Sequence, residues 1–208
     1  MNLFYKKEKA INMLATSKSN IKLFSKDFYD ISDGRVKKNF ILSTYKKMFQ
    51  TIISSIDNYY YENIEADDYC KLFIDIDCKI DHDCLETQLY TVDYLINTTV
   101  DLFINILATY NYINVKIIVL NASTTDKLSA HLIFPDVVFK NIKQMKCFIN
   151  TINHNFIDLK IIDKLVYKVS CFRMLFCEKI NKNNKLIFYK GINFGILMMN
   201  NYFMIVYY

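Results

Sequence analysis

Short apolar runs of strand length alternate along the chain with longer stretches at helical spacing, and the alternation predicts its elements. Tyr5 to Met13 has the spacing of an amphipathic helix, and Ile21 to Tyr29 reads as a short strand or a loop. Asp33-Gly34 is a turn signal leading to a strand at Asn39 to Leu42. Ser43 is the expected N-cap of a helix to about Ser54, because Tyr45, Met48, Phe49 and Ile52 then share a face. Tyr59 to Asp68, aromatic and acidic, reads as a loop before KLFIDID, Lys71 to Asp77, a buried strand. Past a polar loop at Lys79 to Asp83, a long helix from about Leu85 to Tyr110 follows from the spacing of Leu89, Val92, Leu95, Val100, Phe103, Ile104 and Leu107. Strands are then expected at Val115 to Leu120 and, after a turn at Asn121 to Lys127, at Ser129 to Phe134, ending at Pro135. Ile142 to Ile152 reads as a helix, Val166 to Phe176 as a long strand, and Leu186 to Tyr189 as another, separated by the hairpin-like Lys182-Asn183-Asn184. The fold class is α+β with a mixed or antiparallel central sheet, without an internal repeat, linker or domain boundary.

Gly191 to Tyr208 carries no charge over nearly the length of a membrane span. Asn193, Asn200 and Asn201 interrupt it, so two strands joined by a turn at Asn200 and Asn201 are preferred to a tail anchor, and no membrane partner is expected. The 208 residues are 52% hydrophobic and 23% charged, which suits one folded domain and excludes a disordered chain. A net charge of +5 permits nucleic-acid binding without demanding it. The wealth of Lys, Asn, Ile and Tyr fits an A/T-rich genome and says little about chemistry. Six cysteines without a C-x-x-C pair, and no signal-peptide pattern, read as reduced thiols of an intracellular protein. Cys78, His82 and Cys84 form only a fragment of a zinc pattern, so no zinc site is expected.

The chemistry concentrates around the strand at Lys71 to Asp77. Successive side chains of a strand alternate faces, so Asp75 and Asp77 share one face and Ile74 and Ile76 the other. Two adjacent acids repel unless they are well solvated, share a proton or hold a divalent cation. Lys127, Ser129 and His131 repeat the spacing and offer a cation, a hydroxyl and an imidazole together, a donor set suited to phosphate oxygens; an ordinary exposed strand face has the same pattern. Asp163 precedes a stretch presenting Arg173 and Lys179, which also reads as a surface salt-bridge set. Together, three carboxylates and five donors match the needs of a nucleotidyl transferase, in which two divalent ions bridge the attacking hydroxyl and leaving pyrophosphate while donors clamp the triphosphate.

KLFIDID (71 to 77), STTDKLSAHLIF (123 to 134) and IIDKLVYKVSCFRMLFCEK (161 to 179) resemble, in order, the three motifs of the archaeo-eukaryotic primase superfamily, most nearly its primase-polymerase (PrimPol) branch. The resemblance spans about residues 21 to 190 and includes the Asp-Gly turn, the next strand and Thr44-Tyr45 opening a helix. It implies the primase catalytic core, an RRM-like unit packed with a second α/β unit and an active-site cleft between them. It further implies that Asp75, Asp77 and Asp163 are the catalytic metal ligands for two Mg²⁺ or Mn²⁺ ions. By the same match Lys127, Ser129, His131, Arg173 and Lys179 contact the incoming nucleotide, and Lys38 is a candidate template or phosphate contact in place of the usual Arg. Asp-x-Asp replaces the Asp-x-Glu frequent in the PrimPol branch.

The expected function is a DNA primase catalytic subunit acting on nucleoside triphosphates and a single-stranded DNA template, with DNA polymerase activity as an extension. The alternatives are a silent nucleic-acid-binding subunit with a primase fold, or a metal-dependent nuclease that needs the acids but not the triphosphate clamp. The 208 residues include no C-terminal zinc module and no helicase domain, which predicts an accessory or large primase subunit and a replicative helicase as partners. The short catalytic chain also resembles the late-expression-factor primase subunits of large insect DNA viruses, which implies a nucleus or viral replication compartment.

Overall fold

A computed structural model describes residues 1–17, 20–79, 91–155, 162–169 and 171–193. They divide into two compact units, one built from Met1–Glu65 and Ser170–Leu186, the other from Ala66–Val169 and the described residues from Ile187 onward. Both are α+β with an antiparallel sheet.

The first unit contains β1 (Asn2–Phe4), α1 (Lys7–Leu14), β2 (Lys22–Asp30), β3 (Arg35–Ser43), α2 (Tyr45–Ser54), β4 (Tyr60–Asn63) and β8 (Cys171–Arg173), with sheet order β1-β3-β2-β4-β8. Gly34 turns the β2–β3 hairpin at φ +68°, a left-handed conformation that costs glycine little. That turn fixes a register in which Asp27 faces Lys38 and Ser25 faces Phe40. Helix α1 buries Ala10 on Leu23 and Leu42, and α2 sets Tyr45 edge-on to Phe24 at 5.5 Å between centroids.

Two expectations are corrected here. The stretch from Tyr59 to Asp68 is not wholly loop, because Tyr60–Asn63 forms β4 between β2 and β8. Four residues are too few for alternation to show in the sequence; pairing on both sides supplies the order instead. Thr44, rather than Ser43, caps α2: it is extended at φ −85°, ψ 156° and accepts the Lys47 amide, while Ser43 closes β3 with its hydroxyl buried and without a hydrogen-bond partner among the described residues. Thr44→Ala is therefore expected to cost about 1 kcal/mol in denaturant unfolding. Ser43→Ala should be neutral or slightly stabilising, since it removes a buried hydroxyl without a partner. Equal losses would contradict this assignment.

The second unit contains β5 (Cys70–Lys79), α3 (Val92–Thr109), β6 (Ile117–Asn121), β7 (Lys127–Phe139), α4 (Ile142–Asn155), α5 (Val166–Val169) and β9 (Ile187–Ile192), with sheet order β5-β7-β6-β9. Phe103 of α3 packs on Phe134 of β7 at 5.8 Å, and Phe148 of α4 on Phe139 at 5.2 Å. Strand β7 does not stop at Pro135. A register shift between Lys71 and Leu72 of β5 falls opposite the proline, so the partner strand bypasses the position that lacks an N–H. Within the described residues α3 begins at Val92, where Thr91 is extended and caps the Tyr94 amide.

The expected long strand from Val166 to Phe176 is instead the helical turn α5 followed by the three-residue β8. The carboxylate of Asp163 accepts the Leu165 amide and so favours a turn over extension. Nor do β8 and β9 form a hairpin, since β8 pairs with β4 and β9 with β6. The loop expected through Asp83, the helix start at Leu85, His82, Cys84 and the strands of the uncharged tail lie outside the described residues. No described helix is long and apolar enough to cross a membrane.

Candidate active site

The register of β5 against β7 assembles the acids and their counter-groups. Asp75 faces His131, Asp77 faces Ser129 and Lys79 faces Lys127, so all these side chains share one face of the sheet. Asp75 also turns its carbonyl away from β7, where it accepts the Asp163 amide at 2.9 Å. Asp75–His131 is therefore a non-hydrogen-bonded pair, the kind in which cross-strand side chains lie closest.

Charges are matched across the strands. Lys127 Nζ lies 2.6 Å from Asp77 Oδ2, and His131 Nε2 lies 3.6 Å from Asp75 Oδ1. The lysine pair is partly solvated, at 36% and 26% side-chain exposure, and contributes under about 1 kcal/mol. The histidine is 4% exposed and its acid 14%, so water screens that pair less. Ser129 is held from behind: its amide donates to Ser123 Oγ at 2.9 Å, and the same hydroxyl donates to the Ser129 carbonyl.

Asp163 stands on the other edge of β5. Ile162 bridges Ile76, and the Asp163 amide bond to Asp75 fixes its backbone beside the first acid. Tyr167, four residues later on α5, donates its hydroxyl to the Phe73 carbonyl at 2.9 Å and stacks its ring on Phe73 at 5.4 Å.

Lys38, Arg173 and Lys179 belong to the first unit. Arg173 sits opposite Tyr61, buried, with Nη1 donating to the Asn184 carbonyl at 2.9 Å. Lys179 is exposed, and its amide donates to Asn184 Oδ1 at 3.2 Å, so one asparagine meets the Arg173 guanidinium through its carbonyl and the Lys179 backbone through its side chain. Lys38 pairs with Asp27 at 2.5 Å and lies 4.1 Å above the Tyr61 ring. The register puts Lys38, Tyr61 and Arg173 on one face of that sheet. Burial, and then the Asp27 charge, push the Tyr61 phenol well above its usual range, and Arg173 opposes the shift.

The sequence-derived residues thus fall into two groups. Asp75, Asp77, Lys127, Ser129 and His131 converge on one sheet face with Asp163 at its edge; Lys38, Arg173 and Lys179 lie in the other unit. Sequence reasoning missed three supporting residues: Ser123, Tyr167 and Asn184. The first two lie inside the middle and third motifs, and their positions there were the only available signal.

Two carboxylates projecting side by side, with a third acid held by its amide on the backbone carbonyl of Asp75, suit a hard divalent cation in donor chemistry. No three His, Cys, Asp or Glu side chains among the described residues form a metal-holding group as they stand. One Asp163 oxygen is engaged by Leu165, Lys127 supplies counter-charge to Asp77, and His131 lies 3.6 Å from Asp75.

An α+β chain whose sheet opposes paired acids with phosphate-type donors is compatible with an archaeo-eukaryotic primase-type domain, of the primase/polymerase nucleotidyltransferase superfamily. Residues 22–191 match the family described as the C962R protein N-terminal AEP domain, and the chain belongs to that family. Comparison with curated proteins finds no match.

Proposed function

We propose that the chain is the catalytic subunit of a DNA primase, joining nucleoside triphosphates into short primers on single-stranded DNA. The observation that carries this reading is the β5–β7 register, which opposes Asp75 and Asp77 with His131 and Ser129 and places Lys127 on Asp77. A solvated acid pair would not need donors opposite each acid. A nuclease would need the acids alone.

In this reading Asp75, Asp77 and Asp163 hold Mg²⁺ or Mn²⁺. Held there, such ions would supply activation of the 3′-hydroxyl and charge compensation at the leaving pyrophosphate. The chain's own groups do the rest. Lys127 meets a phosphate oxygen as a mobile point charge, Ser129 and His131 donate from fixed strand positions, and Arg173 and Lys179 are assigned to nucleotide contacts by the resemblance. Lys38 is assigned to a template or phosphate contact. The partners in this reading are an accessory or large primase subunit and a replicative helicase, in a nucleus or viral replication compartment.

The test is primer synthesis on an unprimed single-stranded DNA template with labelled ribonucleotides or deoxynucleotides and Mg²⁺ or Mn²⁺. Oligomers that vanish in Asp75→Ala support the reading and show which sugar is used, including whether the site also works as a DNA polymerase. Metal-dependent nucleoside triphosphate binding without product points to a required partner. Failure to bind nucleoside triphosphate, with cleavage of the template, replaces the primase by the nuclease.

A further inference from the structure

We propose that Tyr167 is a positioning residue for the acid face: its side chain pins the segment carrying Asp163 to the open edge of β5, and so sets Asp163 beside Asp75. The proposal rests on the reading of Asp75 and Asp163 as cation ligands.

Among the described strands, β5 ends its sheet and pairs only with β7 within it. Phe73 and Asp75, two residues apart, therefore direct their carbonyls off the same open edge. Both are met by one segment, Asp75 by the Asp163 amide and Phe73 by the Tyr167 hydroxyl, each at 2.9 Å. Asp163 lies just before the turn that leads into α5, and Tyr167 lies on α5 four residues later, so one short segment carries both donors. A helix of four residues has almost no stability of its own, and tertiary anchors must order it.

The tyrosine ring is also part of the acid face. Phe73 alternates with Asp75 and Asp77, and Tyr167 stacks on it at 5.4 Å with the planes 28° apart. Tyr167 is 3% exposed. Burial first, then the charges of Asp75 and Asp163, hold its phenol well above the usual value, so it keeps its proton and remains a donor. Phenylalanine would fill the same space but leave the Phe73 carbonyl without that donor.

The experiment uses the full chain and reads Mn²⁺ binding by the electron paramagnetic resonance signal of the free ion. Tyr167→Phe is expected to weaken Mn²⁺ binding roughly three- to ten-fold, the loss of one hydrogen bond that orders a ligand. In an Asp163→Asn background the same substitution should have no further effect, because its route to the ion is gone. Unchanged Mn²⁺ affinity with only a lower unfolding midpoint would reduce Tyr167 to a structural residue and overturn the proposal. An equal weakening with and without Asp163 would overturn the route through that acid. If the wild-type chain binds no Mn²⁺, or Asp75→Asn binds it equally well, the cation-site reading itself fails and the proposal with it.

Discussion

Asp75→Asn is expected to lower primer synthesis by about 10³-fold or more while leaving the fold as stable as before. The activity loss corresponds to roughly 4 kcal/mol of transition-state stabilisation, within the range for removing a charge that organises the reacting groups. The stability side follows from the charge pattern. Asp75 and Asp77 project from one face of β5, a repulsive arrangement that Lys127, 2.6 Å from Asp77, offsets, while His131 lies 3.6 Å from Asp75. Asparagine keeps the shape and removes one of the repelling charges. The new amide can still hydrogen-bond His131, which stays buried opposite it. The expected net change is under about 1 kcal/mol, or roughly 2–4 °C in Tm for a chain of this size. A steady-state assay beside a thermal melt checks both halves. Activity within tenfold of wild type would remove Asp75 from the catalytic set, and a collapse of the melt would make it a structural residue.

That expectation was only partly legible in the sequence. KLFIDID announces a strand because its apolar residues are strand formers and polar residues bound it, so the shared face of Asp75 and Asp77 follows from alternation alone. The same holds for Lys127, Ser129 and His131. Sequence periodicity cannot show that these two sets lie opposite one another, because cross-strand register over some fifty intervening residues is a tertiary fact. The third motif was harder. Val166 to Phe176 has the apolar composition of a strand, yet the Asp163 carboxylate on the Leu165 amide starts a helical turn, and only Cys171–Arg173 is extended. A side-chain cap outweighed composition there. Strand β4 was invisible for a different reason. Its four residues owe their order to β2 and β8 on either side, and β8 lies more than a hundred residues away in the chain.

Lys127→Ala is expected to raise the dissociation constant for a non-hydrolysable nucleoside triphosphate about 10- to 100-fold, the worth of one charge-assisted hydrogen bond. The same substitution should tighten Mn²⁺ binding several-fold in the absence of nucleotide. Both effects have one cause. Lys127 has two anions within its duties: Asp77, on which it rests at 2.6 Å, and the phosphate assigned to it. Its partly solvated pair with the acid is weak enough to break without a large penalty. While Lys127 lies on Asp77, the acid's charge is already met and a divalent cation must displace the ammonium; once displaced, the ammonium is released toward phosphate. Metal and nucleotide should therefore promote each other's binding in the wild type, by equal factors as linkage requires, and part of that coupling should disappear with Lys127. Calorimetric titration of nucleotide with and without Mn²⁺, in both proteins, measures the four corners of the cycle. Unchanged nucleotide affinity in the variant would take Lys127 out of the triphosphate clamp and favour the nuclease reading, in which Asp75 and Asp77 act without it. A variant that loses nucleotide affinity but keeps the full coupling would leave Lys127 as a phosphate contact and make its pair with Asp77 incidental.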